Sequence, residues 1–372
     1  MAWGGHGPVG PGGARWGSVG PGPVFMLEYS SRTRTSGGGT SLDPTAKPPE
    51  ADSTAAVGAP LAPPPAPGQA TTEWLKKAFE ADGYIADLDT IVAVYLSLRL
   101  EKPLLIEGAP GVGKTEIAKV LARVFATDLI RLQCYEGLDE SKALYEWDYQ
   151  KQLLRIQILR EQGQVTAESD LFSEEYLLER PLLRAIRAAR RPVLLIDEVD
   201  KCDPEFEAFL FEVLSDFTIS VPEIGTMRAR QVPIVVLTSN NERELSDGLR
   251  RRCVYLFIEF PSVEKELRIV RSRVPEASEK LATDVARVVA EVRAMDLKKQ
   301  PSIAETLDWA RALLVLGAEK LDDGLLAETA TILLKSREDV TTLRQAAAAG
   351  GFVTGALEKR PIPPAAHGPA RR

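Results

Sequence analysis

Two rhythms alternate along the central part of the chain: short apolar runs, and longer stretches in which apolar residues return every three or four positions. Leu104-Leu105-Ile106, Leu129 to Gln133, Val193-Leu194-Leu195-Ile196 and Ile234-Val235-Val236-Leu237 are strand candidates, most of them apolar enough to be covered on both faces. Ile117, Val120, Leu121, Val124 and Phe125 recur instead at helical spacing. Strand-like runs separated by helix-like ones predict a mostly parallel sheet with helices on its faces, an α/β fold. After Pro261 the strand-like runs stop. From Ser262 to about Ala348 only helical periodicity remains, as in Leu267, Ile269 and Val270 and later Leu307, Ala310, Leu313 and Leu314. This predicts a small all-α domain behind the α/β domain.

The flanks differ in kind. Residues 1–70 are dominated by Gly, Pro, Ser, Thr and Ala, with Pro63-Pro64-Pro65 near the end, and bury too little apolar surface to offset the entropy of ordering. They are predicted to be a disordered tail, and Met26 offers an alternative start within it. Residues 349–372, with Pro361, Pro363 and Pro364, are predicted to be a second tail. The domain boundaries are therefore 71–260 for the α/β domain and 261–348 for the helical one.

Composition narrows the chemistry. The 372 residues carry a formal charge of −7, which argues against a protein that coats a nucleic-acid duplex. No run of about eighteen apolar residues is present to cross a membrane, and the first residues lack a charged and then apolar leader, so a cytoplasmic location is expected. Cys134, Cys202 and Cys253 are too few and too scattered for a disulfide framework or a tetrahedral zinc site. The only histidines, His6 and His367, fall in the predicted tails. Catalysis is left to carboxylates, lysine, arginine and amides.

Gly108-Ala109-Pro110-Gly111-Val112-Gly113-Lys114-Thr115 fits G-x-x-x-x-G-K-[ST] with no mismatch, between a strand candidate and a helix candidate. Glycines let successive backbone N–H groups turn into one concavity, and the following helix N-terminus adds positive potential there. A polyphosphate is the natural occupant. Lys114 would reach its β- and γ-phosphates, Thr115 would hold Mg2+, and Glu116 opens the helix beside them.

Further along, Val193 to Ile196 runs into Asp197-Glu198. Such a pair is commonly a solvated turn. Downstream of a phosphate loop it reads as a magnesium-holding acid, Asp197, and a water-polarising one, Glu198, pointing to opposite sides of the strand. Asn240 closes the next strand, where its amide could orient the same water, though Asn there is also a common turn residue. Arg250-Arg251-Arg252 then precedes the apolar Val254-Tyr255-Leu256-Phe257. A solvated basic face is the plain reading, and an arginine finger that stabilises transition-state charge is the functional one.

In this order, over roughly Gly83 to Leu316, the motifs resemble those of the AAA+ ATPases, and more closely the MoxR family. The resemblance implies an AAA+ P-loop core with a central parallel sheet and a small all-α lid, binding ATP and Mg2+. It makes Gly108 to Thr115 the Walker A loop, Val193 to Glu198 Walker B, Asn240 sensor 1, and Arg252 the finger with Arg251 as second choice. Gly83-Tyr84-Ile85 falls at the adenine-contacting segment. Thr218 to Arg230 alternates apolar and polar residues around a turn and looks like the hairpin that marks the superclade of MoxR proteins and magnesium chelatase subunits. The stretch from Tyr135 to Tyr149 sets aromatics among acids and reads either as local packing or as a partner-facing loop near a pore. The wording Leu144 to Leu154 looks like the MoxR-type ATPases associated with maturation of aerobic carbon monoxide dehydrogenase. One departure stands out: Glu305 lies where many relatives have a sensor 2 arginine, leaving Arg311 as the nearest substitute.

The expected function is an ATPase that assembles as a homo-oligomer, by resemblance a hexameric ring, and remodels a protein client. Proteins with a von Willebrand factor A domain are partners the resemblance implies. A nucleotide-dependent binding switch with slow hydrolysis and a nucleic-acid motor are the alternatives, the second disfavoured by the acidic balance.

Overall fold

The computed structural model describes residues 64–162, 171–222, 224–318 and 320–358. Its centre is a parallel sheet of five strands, β1 (Leu104–Gly108), β2 (Leu129–Gln133), β5 (Val193–Asp197), β8 (Ile234–Ser239) and β9 (Val254–Ile258), in the order β2-β5-β8-β1-β9. The three inner strands are buried at every position. Hence they read as unbroken apolar runs, whereas the edge strands β2 and β9 alternate buried and more exposed residues. Alternate side chains of the inner strands feed two cores. Leu104, Ile106, Val193, Leu195 and Val236 pack against α1 (Thr72–Ala81), α2 (Leu88–Leu100) and α3 (Lys114–Val124). Leu105, Leu194, Ile196, Val235 and Leu237 pack on the other face with α6 (Pro181–Arg187) and α7 (Pro204–Asp216).

Two antiparallel ribbons are inserted into this frame. Thr218–Val221 (β6) pairs with Gly225–Arg228 (β7), forming the hairpin expected before the fourth strand of the sheet. Tyr145–Trp147 (β3) pairs with Leu177–Glu179 (β4), and between them runs α5 (Tyr149–Glu161), preceded by the short α4 (Glu140–Ala143). Part of the aromatic stretch packs locally, as one of its two readings expects. Trp147 is buried against Phe172 at 5.2 Å between ring centroids, while Tyr135 and Tyr149 are exposed.

The short α8 (Asp247–Arg252) leads into β9, and every element described beyond that strand is helical. These are α9 (Val263–Arg273), α10 (Glu279–Arg293), α11 (Ile303–Val315), α12 (Asp323–Leu333), α13 (Arg337–Ala348) and α14 (Phe352–Glu358). They enclose a core of their own around Val289, Trp309, Leu313 and Leu343. A buried ion pair ties three of them together. Glu266 on α9 receives the two terminal nitrogens of Arg293 on α10, at 2.5 and 2.8 Å, and the Thr306 hydroxyl of α11 at 2.8 Å. Arg293 also donates to the Pro301 carbonyl and stacks over Phe260. Removing one partner strands the other charge, so Glu266→Ala is expected to cost about 3–5 kcal/mol in urea unfolding. A loss below about 1 kcal/mol would show that solvent reaches this pair in the folded state.

The predicted tails need correction where the structure describes them. The last helix, α14, lies inside the segment expected to be disordered, with Val353 and Ala356 buried. Its N-terminus is held by the Asp323 carboxylate, which accepts from the backbone N–H of Gly351 at 2.6 Å and of Val353 at 2.8 Å. At the other end, Pro67–Gln69 form a short 3-10 turn and Ala70 is buried. Residues 1–63 and 359–372, with Met26, His6 and His367, lie outside the described residues.

Candidate nucleotide site

The phosphate loop follows β1 where the strand order reverses, the place in open α/β sheets where the carboxyl ends of strands leave a crevice. Two of its glycines are required by contact as well as by conformation. Gly108 has φ +152°, and a Cβ there would lie 2.2 Å from the Ile258 carbonyl oxygen of β9. Gly111 has φ +76°, and its Cβ would lie 2.2 Å from that of Ser302 in the helical region. The Ile303 N–H donates to the Gly111 carbonyl at 3.2 Å, so the first turn of α11 rests on the loop itself.

Lys114 opens α3 and is buried. Its Nζ donates to the carbonyls of Gly108 and Ala109 at 2.6 and 2.8 Å, and to Asn240 Oδ1 at 2.8 Å. Burial pushes the Lys114 ammonium down from the usual lysine range, while Asp200, Asp197 and Glu198 pull it back up. The lysine predicted for phosphate and the amide predicted for water are thus already in contact. A polyphosphate entering the loop would take over donor capacity that now serves carbonyl groups.

Asp197 ends β5 and is buried. Its Oδ1 accepts from the hydroxyls of Thr115 at 3.0 Å and Thr238 at 2.6 Å, and its Oδ2 receives the Arg131 guanidinium of β2. Since the Thr115 proton points to Asp197, its oxygen lone pairs are open to a cation. Thr115 and Asp197 are the donors a magnesium ion would use, the rest of its shell coming from phosphate and water. Among the described residues no group of three or more His, Cys, Asp or Glu could hold a metal by itself.

Glu198 does not continue the strand, so its direction is not set by the pleat. It adopts a left-handed turn, φ 59°, and its N–H donates to Thr238 Oγ1 at 3.0 Å. One carboxylate oxygen, Oε2, accepts from Gln133 Nε2 at 2.9 Å and Lys201 Nζ at 2.8 Å. Asp200, in the short turn that follows, holds the loop after β8: its Oδ2 accepts from the N–H groups of Asn240 and Glu242, both at 3.0 Å. Its other oxygen is buried with no hydrogen-bond partner among the described residues.

Lys114, Thr115, Asp197, Glu198, Thr238 and Asn240 line a cleft of ≈ 530 Å³. Tyr84 and Ile85, predicted at the adenine-contacting segment, line it, as do the apolar Ile269, Ile303 and Leu307 of the helical region. Tyr84 sits edge-on to Phe79 at 5.7 Å, and burial pushes its hydroxyl pKa well above the usual tyrosine range. Pro110, Gly111, Val112, Gly113, Lys114, Thr115 and Glu116 line the cleft as well, and so do Asp197, Glu198 and Asn240. Gly108 and Ala109 lie just outside and act through their carbonyls. Glu116 faces the cleft and pairs with Arg123 at 2.9 Å and Lys119 at 3.4 Å.

The arginine triplet is elsewhere. Arg250 lies 3.7 Å from the buried Glu107, Arg252 stacks over Phe211 at 4.5 Å, and Arg251 is 82% exposed. Neither Arg251 nor Arg252 lines the cleft of its own chain. Glu305, the acid at the sensor 2 place, accepts from the Ser302 N–H at 2.8 Å in a capping box that starts α11, and it does not line the cleft. Arg311, two turns on, does line it. No sequence motif marks Arg131, Gln133, Asp200, Lys201 and Thr238, which contact the site residues, or Ile269, Arg273, Ile303 and Leu307, which line the cleft. An acid three residues beyond Asp197 was the one local signal available, for Asp200.

Residues 103–253 match the family described as AAA domain (dynein-related subfamily). Together with the strand order and the helices that follow, this gives the chain an AAA+ fold in which residues 103–253 match an AAA domain. Among curated proteins, Lon protease of Halothermothrix orenii is 29% identical over 154 residues, 37% of this chain but only 16% of that protein's length. An uncharacterized protein of Staphylococcus aureus is 24% identical over 224 residues, covering 58% of this chain and 77% of its own. Among solved structures, a single-residue variant of Thermotoga maritima RuvB is similar over 70% of this chain and 67% of its own, at 17% identity and a TM-score of 0.39. Among the described residues no helix is long and apolar enough to cross a membrane.

Proposed function

We propose that the protein is a MoxR-type AAA+ ATPase that hydrolyses Mg2+-bound ATP in a ring of identical subunits, of six by family resemblance, and uses the energy to remodel a protein client. The observation that carries this reading is the division of the site. Lys114, Thr115, Asp197, Glu198 and Asn240 converge on one cleft, while the arginine triplet, which transition-state stabilisation needs, stands outside the cleft of its own chain. A neighbouring subunit would supply it.

In this reading the adenine lies between Tyr84, Ile85 and the apolar residues of α9 and α11, and the phosphates lie over Gly111 to Thr115. Lys114 would exchange the two loop carbonyls for phosphate oxygens, and Thr115 and Asp197 would hold the Mg2+, whose charge offsets that of the phosphates; Glu198 takes a proton from the water that Asn240 orients as the water oxygen bonds to the γ-phosphorus and the bond to ADP breaks. Because α9 and α11 form part of the wall, loss of the γ-phosphate moves the helical region against the sheet. The client is proposed by resemblance alone: a metalloenzyme under maturation, such as carbon monoxide dehydrogenase, reached in the cytoplasm through a protein with a von Willebrand factor A domain.

The test is the ATPase rate per subunit as protein concentration is raised through the assembly range. A rate that climbs with assembly is expected, and one that is flat while the oligomer forms refutes the shared site. One observation favours a second reading, a nucleotide-dependent switch with slow hydrolysis: Lys201 and Gln133 both hold Glu198. That reading predicts assembly with ATP and no rise in rate.

A further inference from the structure

Arg131 does not line the cleft but reaches Asp197, which does, and nothing in the phosphate chemistry described so far uses it. It belongs to β2, an edge strand whose alternate residues Ile130 and Leu132 are buried, and its own side chain is about half exposed. Its Nε donates to Asp197 Oδ2 at 3.1 Å and its Nη2 to the same oxygen at 2.5 Å. Nη2 also contacts Gln133 Oε1, and Gln133 in turn donates to Glu198. With Thr115 and Thr238 on Oδ1, both oxygens of Asp197 are engaged by protein donors.

A magnesium ion held by Thr115 and, through water, by Asp197 would bring two positive charges next to this guanidinium. The metal-bound water also needs a carboxylate lone pair, and Oδ2 is the oxygen the guanidinium covers. We infer that Arg131 is a positioning residue that stands in for the divalent cation: it holds Asp197 in the absence of Mg2+-nucleotide and swings toward solvent when the metal arrives. An edge-strand side chain can make that move without disturbing the core beneath it. The consequence is that Arg131 weakens metal capture by an empty or metal-free site and couples metal entry to release of the Arg131–Gln133–Glu198 chain. This inference rests on the site being a Mg2+-nucleotide site.

The test uses calorimetry on the full chain, comparing ADP affinity in Mg2+ with ADP affinity in EDTA, in the wild type, Arg131→Gln and Arg131→Lys. The ratio measures how strongly the metal adds to binding, independently of turnover. If Arg131 competes with the metal, Arg131→Gln raises the ratio by about tenfold, from the loss of one like charge near the ion. Arg131→Lys, which keeps the charge, stays near the wild type. An unchanged or lowered ratio in a folded Arg131→Gln overturns the inference, because a guanidinium that merely orients Asp197 would help the metal. If that variant does not fold, the wild-type Arg131 Nε–H resonance decides: it should lose its hydrogen-bond protection on adding Mg2+ and ADP together but not ADP in EDTA, and persistence refutes the displacement. Absence of any ADP binding in the wild type would instead refute the nucleotide reading.

Discussion

Arg252→Ala is expected to lower the steady-state ATPase rate by about three to five powers of ten while leaving ATP affinity within a few-fold of the wild type. The reason is geometric. Arg252 lies over Phe211 and away from the cleft of its own chain, so its loss removes no contact to bound nucleotide there. A decisive form of the experiment mixes subunits. In the proposed reading Lys114 is the lysine that would meet phosphate and Arg252 the finger, so Lys114→Ala and Arg252→Ala should each be inactive alone; mixed in equal amounts they should regain part of the wild-type rate, because some interfaces would pair an intact loop with an intact arginine. No recovery, with mixed rings shown to form, would place the finger in its own chain or remove its role. Arg311→Ala should reduce turnover less than Arg252→Ala, since Arg311 lines the cleft but is half exposed and already paired with Asp308 at 3.2 Å. The reverse ranking would make Arg311 the principal arginine.

The second large effect concerns Glu198. Glu198→Gln should retain ATP binding and lose about two to four powers of ten in hydrolysis, the range for removing a positioned general base. Gln133 and Lys201 both donate to the oxygen that the substitution alters, so an amide at 198 keeps one acceptor for them and the loop should stay in place. The measurement pairs single-turnover hydrolysis with equilibrium binding of ATP. Hydrolysis within about tenfold of the wild type would move the base elsewhere, Asp200 with its unpartnered oxygen being the nearby acid to try next. The same variant, held with ATP, is the form in which to isolate a client from native cells.

The convergence of the contiguous motifs on one cleft is legible in the sequence. Gly108 to Thr115, and Asp197 with Glu198, each sit at the end of a strand whose apolar run announces it, and a buried parallel strand leaves no other direction for the chain to emerge. Asn240 was readable for the same reason. The contributions that come from afar were not. Ile269, Ile303 and Leu307 carry ordinary helical spacing, and nothing local distinguishes a residue that walls a nucleotide from one that fills a core. Arg131 and Gln133 look like the outward residues of an edge strand, which they are; their work appears only when β5 is laid beside β2. Glu305 reads as an acid set against phosphate because its capping partner, Ser302, is recognisable only once the start of α11 is known. Gly350-Gly351 read as the opening of a linker, since the acid that fixes the next helix, Asp323, lies on a different helix.

The Ile303 amide also reports on motion. It is a backbone group of the helical region hydrogen-bonded to the loop that would cradle phosphate, so the two regions cannot part without exposing that N–H to solvent. Deuterium uptake at Ile303 is therefore an internal gauge of how far the helical region separates from the loop, readable in an unlabelled, unmutated chain with or without added nucleotide.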